Sequence, residues 1–129
     1  DWDLLKMPAH DSFHYYIKQL NKQYLKNHAI WELDHTYDGF KWVDCKSDNK
    51  CVFAFTRTCQ KNKVLVIFNF SDKEATISPK LEGKVTLLLN TDWEVFGGKT
   101  VKSIKKKVPQ TLPPFTGFLF IFQTSSALD

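Results

Sequence analysis

Two uninterrupted apolar runs, Val64-Leu-Val-Ile-Phe68 and Phe118-Leu-Phe-Ile-Phe122, decide the fold of this chain of 129 residues. Runs of this length are typical of strands that are covered on both faces. The chain is 43% hydrophobic and 15% aromatic, and it is long enough to build one hydrophobic core. The two runs therefore predict the central strands of a β-domain, with the other elements arranged around them.

Shorter strand patterns surround these runs. Apolar and polar residues alternate from Phe40 to Asp44, and further strands are predicted at Val52–Thr58, 74–77 and 84–90. Turn residues recur about every ten positions, and Leu112-Pro-Pro114 is expected to break the chain before the last strand. The pattern predicts an all-β fold, an antiparallel β-sandwich of roughly seven strands.

A helical pattern precedes the strands, from Ser12 to Lys26, and either Asp11 or Ser12 is expected to cap it. Its apolar residues cover an arc of about 100° on one side of the helix. They form the helical stripe: Phe13, Tyr16, Ile17, Leu20 and Tyr24. A stripe of this width must cover another apolar surface, so the sequence predicts an amphipathic helix that docks against a partner.

Charge and cysteine content limit the classes of partner. The net charge of +4 is too small to require a nucleic acid, and the lysines of the stretch Lys99–Lys107 are interpreted as a solvated segment, with phosphate binding the less favoured reading. No apolar run reaches the ~20 residues of a membrane span, and residues 1–10 lack the features of a signal peptide. The spacing of the three cysteines, Cys45, Cys51 and Cys59, matches neither a metal site nor a disulfide framework. This favours free thiols in the cytoplasm.

The sequence contains one near-match to a metal-binding motif and no complete catalytic motif. His10-Asp-Ser-Phe-His14 has the spacing of a zinc-binding HExxH helix, but Asp replaces the glutamate and His10 is expected to precede the first helical turn. The acidic residues of the region after the helix, such as Glu32 and Asp34, are interpreted as solvated turn residues. We therefore expect no metal, no cofactor and no catalytic residue.

Three tryptophans are candidates for stacking on sugar rings. Trp42 alternates with polar residues along a strand and is expected in the core, and Trp31 is expected to pack beneath the helix. Trp93 lies in the polar stretch Asn90-Thr-Asp-Trp-Glu94, where burial is difficult. Trp93 is therefore the predicted carbohydrate-binding residue, in contact with solvent.

An ordered series of short motifs resembles the region near the C-terminus of bacterial glycogen branching enzymes, members of the α-amylase superfamily. The resemblance runs from residue 2 to about 122. The motifs are Asp11-Ser-Phe-His-Tyr15, Leu20-Asn21, Tyr24-Leu25, Ala29-Ile-Trp-Glu-Leu-Asp34, Gly39-Phe-Lys-Trp42, Val66-Ile-Phe-Asn-Phe70, Leu89-Asn-Thr-Asp92, Phe96-Gly-Gly98 and Leu112-Pro-Pro-Phe115.

The resemblance implies that residues 1–36 are the last helical segment of a catalytic (β/α)₈ barrel, 37–124 a C-terminal β-sandwich and 125–129 a tail. Such enzymes transfer α-1,4-glucan chains to 6-hydroxyls, with catalytic carboxylates on barrel segments that have no counterpart here. The helical stripe would then face the barrel of the same parent chain, which is the expected partner, with α-glucan as a weak ligand. Self-association of the isolated chain is the other way to cover the stripe.

Two alternatives stay open at this point. The chain could be an independent carbohydrate-binding module, in which case Trp93→Ala would abolish binding of maltooligosaccharides. It could instead be a basic β-domain that binds nucleic acid through Lys102 to Lys107, with salt-dependent affinity.

Overall fold

The computed structural model of the chain describes residues 8–31 and 39–123. Within these residues, two helices come first, followed by seven strands and a 3₁₀ turn at Glu94–Phe96. The helices are α1, Pro8–Lys26, and α2, His28–Trp31. The strands are β1, Phe40–Trp42; β2, Val52–Cys59; β3, Asn62–Asn69; β4, Ala75–Thr76; β5, Val85–Asn90; β6, Thr111–Leu112; and β7, Thr116–Phe122.

The main sheet has five strands in the order β1-β2-β3-β7-β5, and every neighbouring pair is antiparallel. The two apolar runs form the neighbouring strands β3 and β7, in which Leu65 is opposite Phe120 and Ile67 is opposite Phe118. Both strands have neighbours on each side, which confirms them as the centre of the sheet. A second sheet pairs β4 with β6.

The two faces of the main sheet have different surroundings. Leu65, Ile67 and Phe120 are fully buried on the face we call the inner face, and they form one core with Ala75 and Leu112 of the second sheet. The opposite face, which we call the outer face, carries the alternate residues of the same strands. This arrangement of two antiparallel sheets around one core confirms the predicted all-β sandwich.

A buried asparagine joins the two sheets. Asn69, at the end of β3, is 1% exposed, and its side-chain amide donates hydrogen bonds to the carbonyls of Lys73, Leu112 and Pro113 at 2.9, 3.3 and 3.1 Å. Its Oδ1 accepts hydrogen bonds from the backbone N–H and the hydroxyl of Ser71. Because every polar atom of the side chain is used, Asn69 fixes β6 against the end of the main sheet.

Helix α1 starts earlier than expected. It begins at Pro8 rather than at the predicted cap, and it ends at Lys26 as the pattern predicts. Proline is well suited to the first turn of a helix, because its fixed φ is helical and its missing N–H would have no partner there. The following helix α2 is tied to the sheet through the backbone N–H of Ala29, which donates to Oδ1 of Asn62 at 2.8 Å.

One strand differs from the sequence prediction. Thr111–Leu112 forms β6 and pairs with β4, whereas Leu112-Pro-Pro114 predicts a chain break there. The strand ends immediately before Pro113, so neither proline has to supply an N–H to the ladder. The domain limits at residues 36, 37 and 124 stay predictions, since 32–38 and 124–129 lie outside the described residues.

Candidate docking surface

Six aromatic rings lie together on the outer face of the main sheet, on strands β1, β2 and β3 and the residue after β3. Phe53 and Phe55 are on the same side of β2, where Phe53 is opposite Phe68 and Phe55 is opposite Trp42. We call this surface the aromatic face. It comprises Phe40, Trp42, Phe53, Phe55, Phe68 and Phe70.

The rings of the aromatic face contact one another in two groups. Phe40 lies 5.1 Å from Trp42 and 5.1 Å from Phe55, measured between ring centroids. Phe70 lies 5.1 Å from Phe68 and 5.9 Å from Phe53. Several of these rings are nevertheless open to solvent, with exposed fractions of 64% for Trp42, 58% for Phe70 and 45% for Phe53. Exposed apolar surface of this kind is typical of interaction sites.

Trp42 contradicts our expectation that it belongs to the core. The strand alternation correctly indicates that Trp42 shares a face with Phe40, but that face is the outer one. Strand β1 is at the edge of the sheet, and its outer side is not covered by the described residues. The indole is therefore available to a partner.

The helical stripe is only partly covered. Tyr16 is half-buried, and its ring meets the ring of Phe96 edge-on with centroids 5.2 Å apart. Burial raises the pKa of the Tyr16 phenol above its ordinary value. The other four stripe residues remain exposed; they are Phe13, Ile17, Leu20 and Tyr24.

The packing between α1 and the outer face is incomplete. A solvent-accessible pocket of about 290 Å³ is lined by Tyr16 and Leu20 of the helix and by Val66 and Leu119 of the sheet. Helix α1 thus lies over the middle of the outer face without sealing it, and the aromatic face continues beside it.

Trp93 also contradicts the expected exposure: it is 4% exposed. Its indole stacks on the ring of Phe96 at 5.9 Å, and Nζ of Lys102 lies 5.6 Å from the indole centroid. The polar residues around it are engaged within the loop rather than with solvent. Oδ2 of Asp92, for example, accepts a hydrogen bond from the hydroxyl of Thr100 at 2.6 Å.

Gly98 allows this loop to close over Trp93. A Cβ at position 98 would collide with the backbone carbonyl of Asp92, so only glycine fits there. The backbone N–H of Gly98 donates to the carbonyl of Trp93 at 3.0 Å. Phe96-Gly-Gly98 could have been taken as a sign of tight closure, but the sequence pattern indicated only a turn.

His10 and His14 both lie within α1 and are one helical turn apart, because the helix begins before His10. Our argument that His10 precedes the helix is therefore wrong. Among residues 8–31 and 39–123, however, there is no group of three or more His, Cys, Asp or Glu side chains that could hold a metal ion. The acidic residues Glu32 and Asp34 lie outside the described residues, as does the side chain of Trp31.

Residues 42–121, which include most of the sandwich, match the family described as alpha amylase, C-terminal all-beta domain. The chain belongs to this family. The match starts at Trp42 of the aromatic face and ends in β7, so it covers both sheets of the α-amylase C-terminal all-beta domain.

Curated relatives agree with the family match. The chain is 34% identical over 103 residues to the 1,4-alpha-glucan branching enzyme GlgB of Oceanobacillus iheyensis, a match that covers 76% of the chain and 16% of the relative. It is 30% identical over 135 residues to the enzymes of the same name from Bacillus cereus strain AH820 and Bacillus thuringiensis subsp. konkukian, which covers 89% of the chain. The resemblance to branching enzymes is thereby confirmed.

The chain spans only about a fifth of the length of these relatives, 21% in the Bacillus matches. A match over 89% of the chain also extends beyond the residues of the all-beta domain family. The described part of the chain contains no helix that is both long and apolar enough to cross a membrane.

Proposed function

We propose that this chain is the C-terminal portion of a 1,4-α-glucan branching enzyme and that it packs against the catalytic barrel of the same parent chain. The relatives are named as branching enzymes, which supports this function. They are also about five times longer than this chain, which leaves room for a catalytic barrel in the parent chain. The proposed contact consists of the aromatic face and the helical stripe. Residues 1–36 would belong to the barrel and 37–124 to the sandwich.

The observation that carries the proposal is the exposure of the aromatic face. Trp42, Phe53 and Phe70 are all at least 45% exposed in an alpha amylase C-terminal domain that has a well-buried core on its other side. Full burial of a large apolar side chain is worth about 1.5–3 kcal/mol. A barrel placed on this surface would therefore gain several kcal/mol from these three residues alone.

The proposed role is to stabilise the barrel and to help position the α-glucan, in the cytoplasm. The chain would have no branching activity by itself, because the reaction would take place on the barrel. An assay of the isolated chain on amylose, followed by iodine absorbance, should show no change. The isolated chain would also tend to self-associate through its uncovered rings, which light scattering would detect.

Substitutions on the aromatic face test the packing. We expect Trp42→Asp combined with Phe70→Asp to lower the melting temperature of the full-length parent enzyme by several degrees. In the proposed contact with the barrel, two buried rings would be replaced by charged carboxylates. In the isolated chain the same pair should lower the melting temperature clearly less, because there the two positions lose only their contacts with neighbouring rings.

Val101→Asp combined with Ile104→Asp provides the matched control. These side chains are 67% and 78% exposed and lie outside the aromatic face. The two control substitutions should change the melting temperature little in either form of the protein. An equal effect of the two pairs on the parent enzyme, or a parent gene without a barrel upstream of Asp1, would overturn the proposal.

A second candidate function is an independent carbohydrate-binding module, and the exposed Trp42 favours it. Its indole is flanked by Phe40 and Phe55, and a sugar ring could stack on such a surface. Calorimetric titration of the isolated chain with maltoheptaose tests this reading. Loss of binding in Trp42→Ala would support this surface site, whereas unchanged binding in that variant would count against it.

A further inference from the structure

A cavity on the inner side of the sandwich lies away from the aromatic face and takes no part in the proposed docking. It has a volume of about 690 Å³ and lies between the sheet residues Leu87 and Phe118 and the segment that carries Lys105, Lys106 and Lys107. The segment is held to the edge of the sheet by the N–H of Leu87, which donates to the carbonyl of Lys105 at 2.7 Å. This volume is within the range of small-molecule sites.

Two buried residues that line the cavity each carry a hydrogen-bond donor with no acceptor among the described residues. Asn90 is 5% exposed, and its Oδ1 accepts a hydrogen bond from the N–H of Asp92 at 2.8 Å, which fixes the orientation of the amide. Its Nδ2 donates to none of the described residues. The indole N–H of Trp93, which is 4% exposed, likewise has no acceptor within residues 8–31 and 39–123. Buried donors of this kind are uncommon and require a partner.

The charge around the cavity favours an anion. Three lysines line it, Lys102 lies beside Trp93, and no carboxylate lines it among the residues that the structure describes. Lysine ammonium groups bind phosphate as point charges. Inorganic phosphate alone would leave most of the volume and the apolar walls of Leu87, Val108 and Phe118 unoccupied.

We propose that this cavity binds a phosphorylated monosaccharide. The phosphate lies at Lys105, Lys106 and Lys107, and hydroxyl oxygens of the sugar accept hydrogen bonds from Nδ2 of Asn90 and the indole N–H of Trp93. The apolar walls contact the faces of the sugar ring. This site is independent of the docking of the aromatic face to a barrel.

Titration of the ¹⁵N-labelled 129-residue chain with glucose 6-phosphate tests the site, with glucose, inorganic phosphate and maltotriose as separate ligands. We expect the side-chain NH₂ signals of Asn90 and the indole N–H signal of Trp93 to shift only with the sugar phosphate. We also expect its dissociation constant to be at least about tenfold lower than those of the other ligands, because it makes both kinds of contact. Trp93→Phe assigns the indole signal.

The triple variant Lys105→Gln, Lys106→Gln, Lys107→Gln should weaken binding of glucose 6-phosphate by about tenfold or more. These lysines are exposed, so the fold should persist. The matched control neutralises Lys18, Lys22 and Lys26 on α1, which are also exposed, and should leave affinity unchanged. Equal affinity for glucose 6-phosphate and inorganic phosphate, tighter binding of maltotriose, or equal effects of the two triple variants would overturn the proposal.

Discussion

The ring of Tyr16 on α1 meets the ring of Phe96 edge-on, with the centroids 5.2 Å apart. Phe96 ends the 3₁₀ turn and also contacts Tyr15 at 5.7 Å and Trp93 at 5.9 Å. A single phenylalanine therefore joins the helix to the loop that closes over Trp93. Since the rest of the helical stripe remains largely exposed, this aromatic contact is the main attachment of α1 to the sandwich.

Phe96→Ala should release α1 from the sandwich. An aromatic pair contributes about 0.5–1.5 kcal/mol beyond the area that it buries, and Phe96 takes part in several. We expect faster amide hydrogen exchange throughout α1 and a return of the Tyr16 pKa toward its ordinary value, because the phenol would be hydrated. Leu25→Ala, at a position 73% exposed on the same helix, is the control and should change neither measurement.

Asn69→Ala should destabilise the fold by about 2–4 kcal/mol, as measured by urea denaturation, because it leaves the buried carbonyl of Leu112 and its neighbours without their donor. Asn21→Ala, on the exposed side of α1, should change the free energy of unfolding by less than about 0.5 kcal/mol. A similar loss for both variants would show that Asn69 does not join the two sheets.

Cys45 gives the stability of the domain a pH dependence. Burial raises the pKa of its thiol from the ordinary 9.0 to about 11, and the carboxylate of Asp44 adds to the rise. The unfolded chain loses this proton near pH 9, whereas the folded chain keeps it until about pH 11. The free energy of unfolding should therefore fall as the pH rises from 9 to 11.

Cys45→Ala should make this fall less steep, whereas Cys51→Ala should not, since Cys51 is exposed. Iodoacetamide at pH 8 should accordingly modify Cys51 well before Cys45. Equal rates of modification, or the same pH slope in both variants, would contradict the assignment.

Phe115 adopts a left-handed backbone conformation, with φ of 51°, that residues other than glycine rarely adopt. The residue is 69% exposed. Phe115→Gly should stabilise the isolated chain by up to about 1 kcal/mol in thermal unfolding, because glycine adopts this conformation without strain. Phe70→Gly, at an exposed position without a positive φ, should be destabilising instead. Loss of stability in both variants would show that Phe115 makes a contact that outweighs its strain.

The sequence predicts the sheet better than it predicts the surface. The runs at Val64–Phe68 and Phe118–Phe122 are sufficient to locate β3 and β7, because continuous apolar runs need cover on both faces. Alternation groups Trp42 with Phe40 but cannot indicate which face of the sheet is covered. That depends on where α1 and the second sheet pack, which is decided by distant parts of the chain.

Trp93 illustrates the opposite error. Its polar neighbours suggest exposure, but Asp92 and Asn90 direct their side chains to backbone and hydroxyl groups within the loop. Their polarity is used to hold the loop closed over the indole. Such local hydrogen bonds depend on loop geometry, which the residue types alone do not specify.

Hydroxyl-radical footprinting of the isolated chain and of the full-length parent enzyme would show whether a barrel covers the aromatic face. In the isolated chain, Trp42, Phe53 and Phe70 should be oxidised readily, in keeping with their exposure. In the parent, all three should be protected by about threefold or more, whereas Val101 and Ile104 should be oxidised equally in both forms. Equal oxidation of Trp42, Phe53 and Phe70 in the two proteins would contradict the docking of the aromatic face.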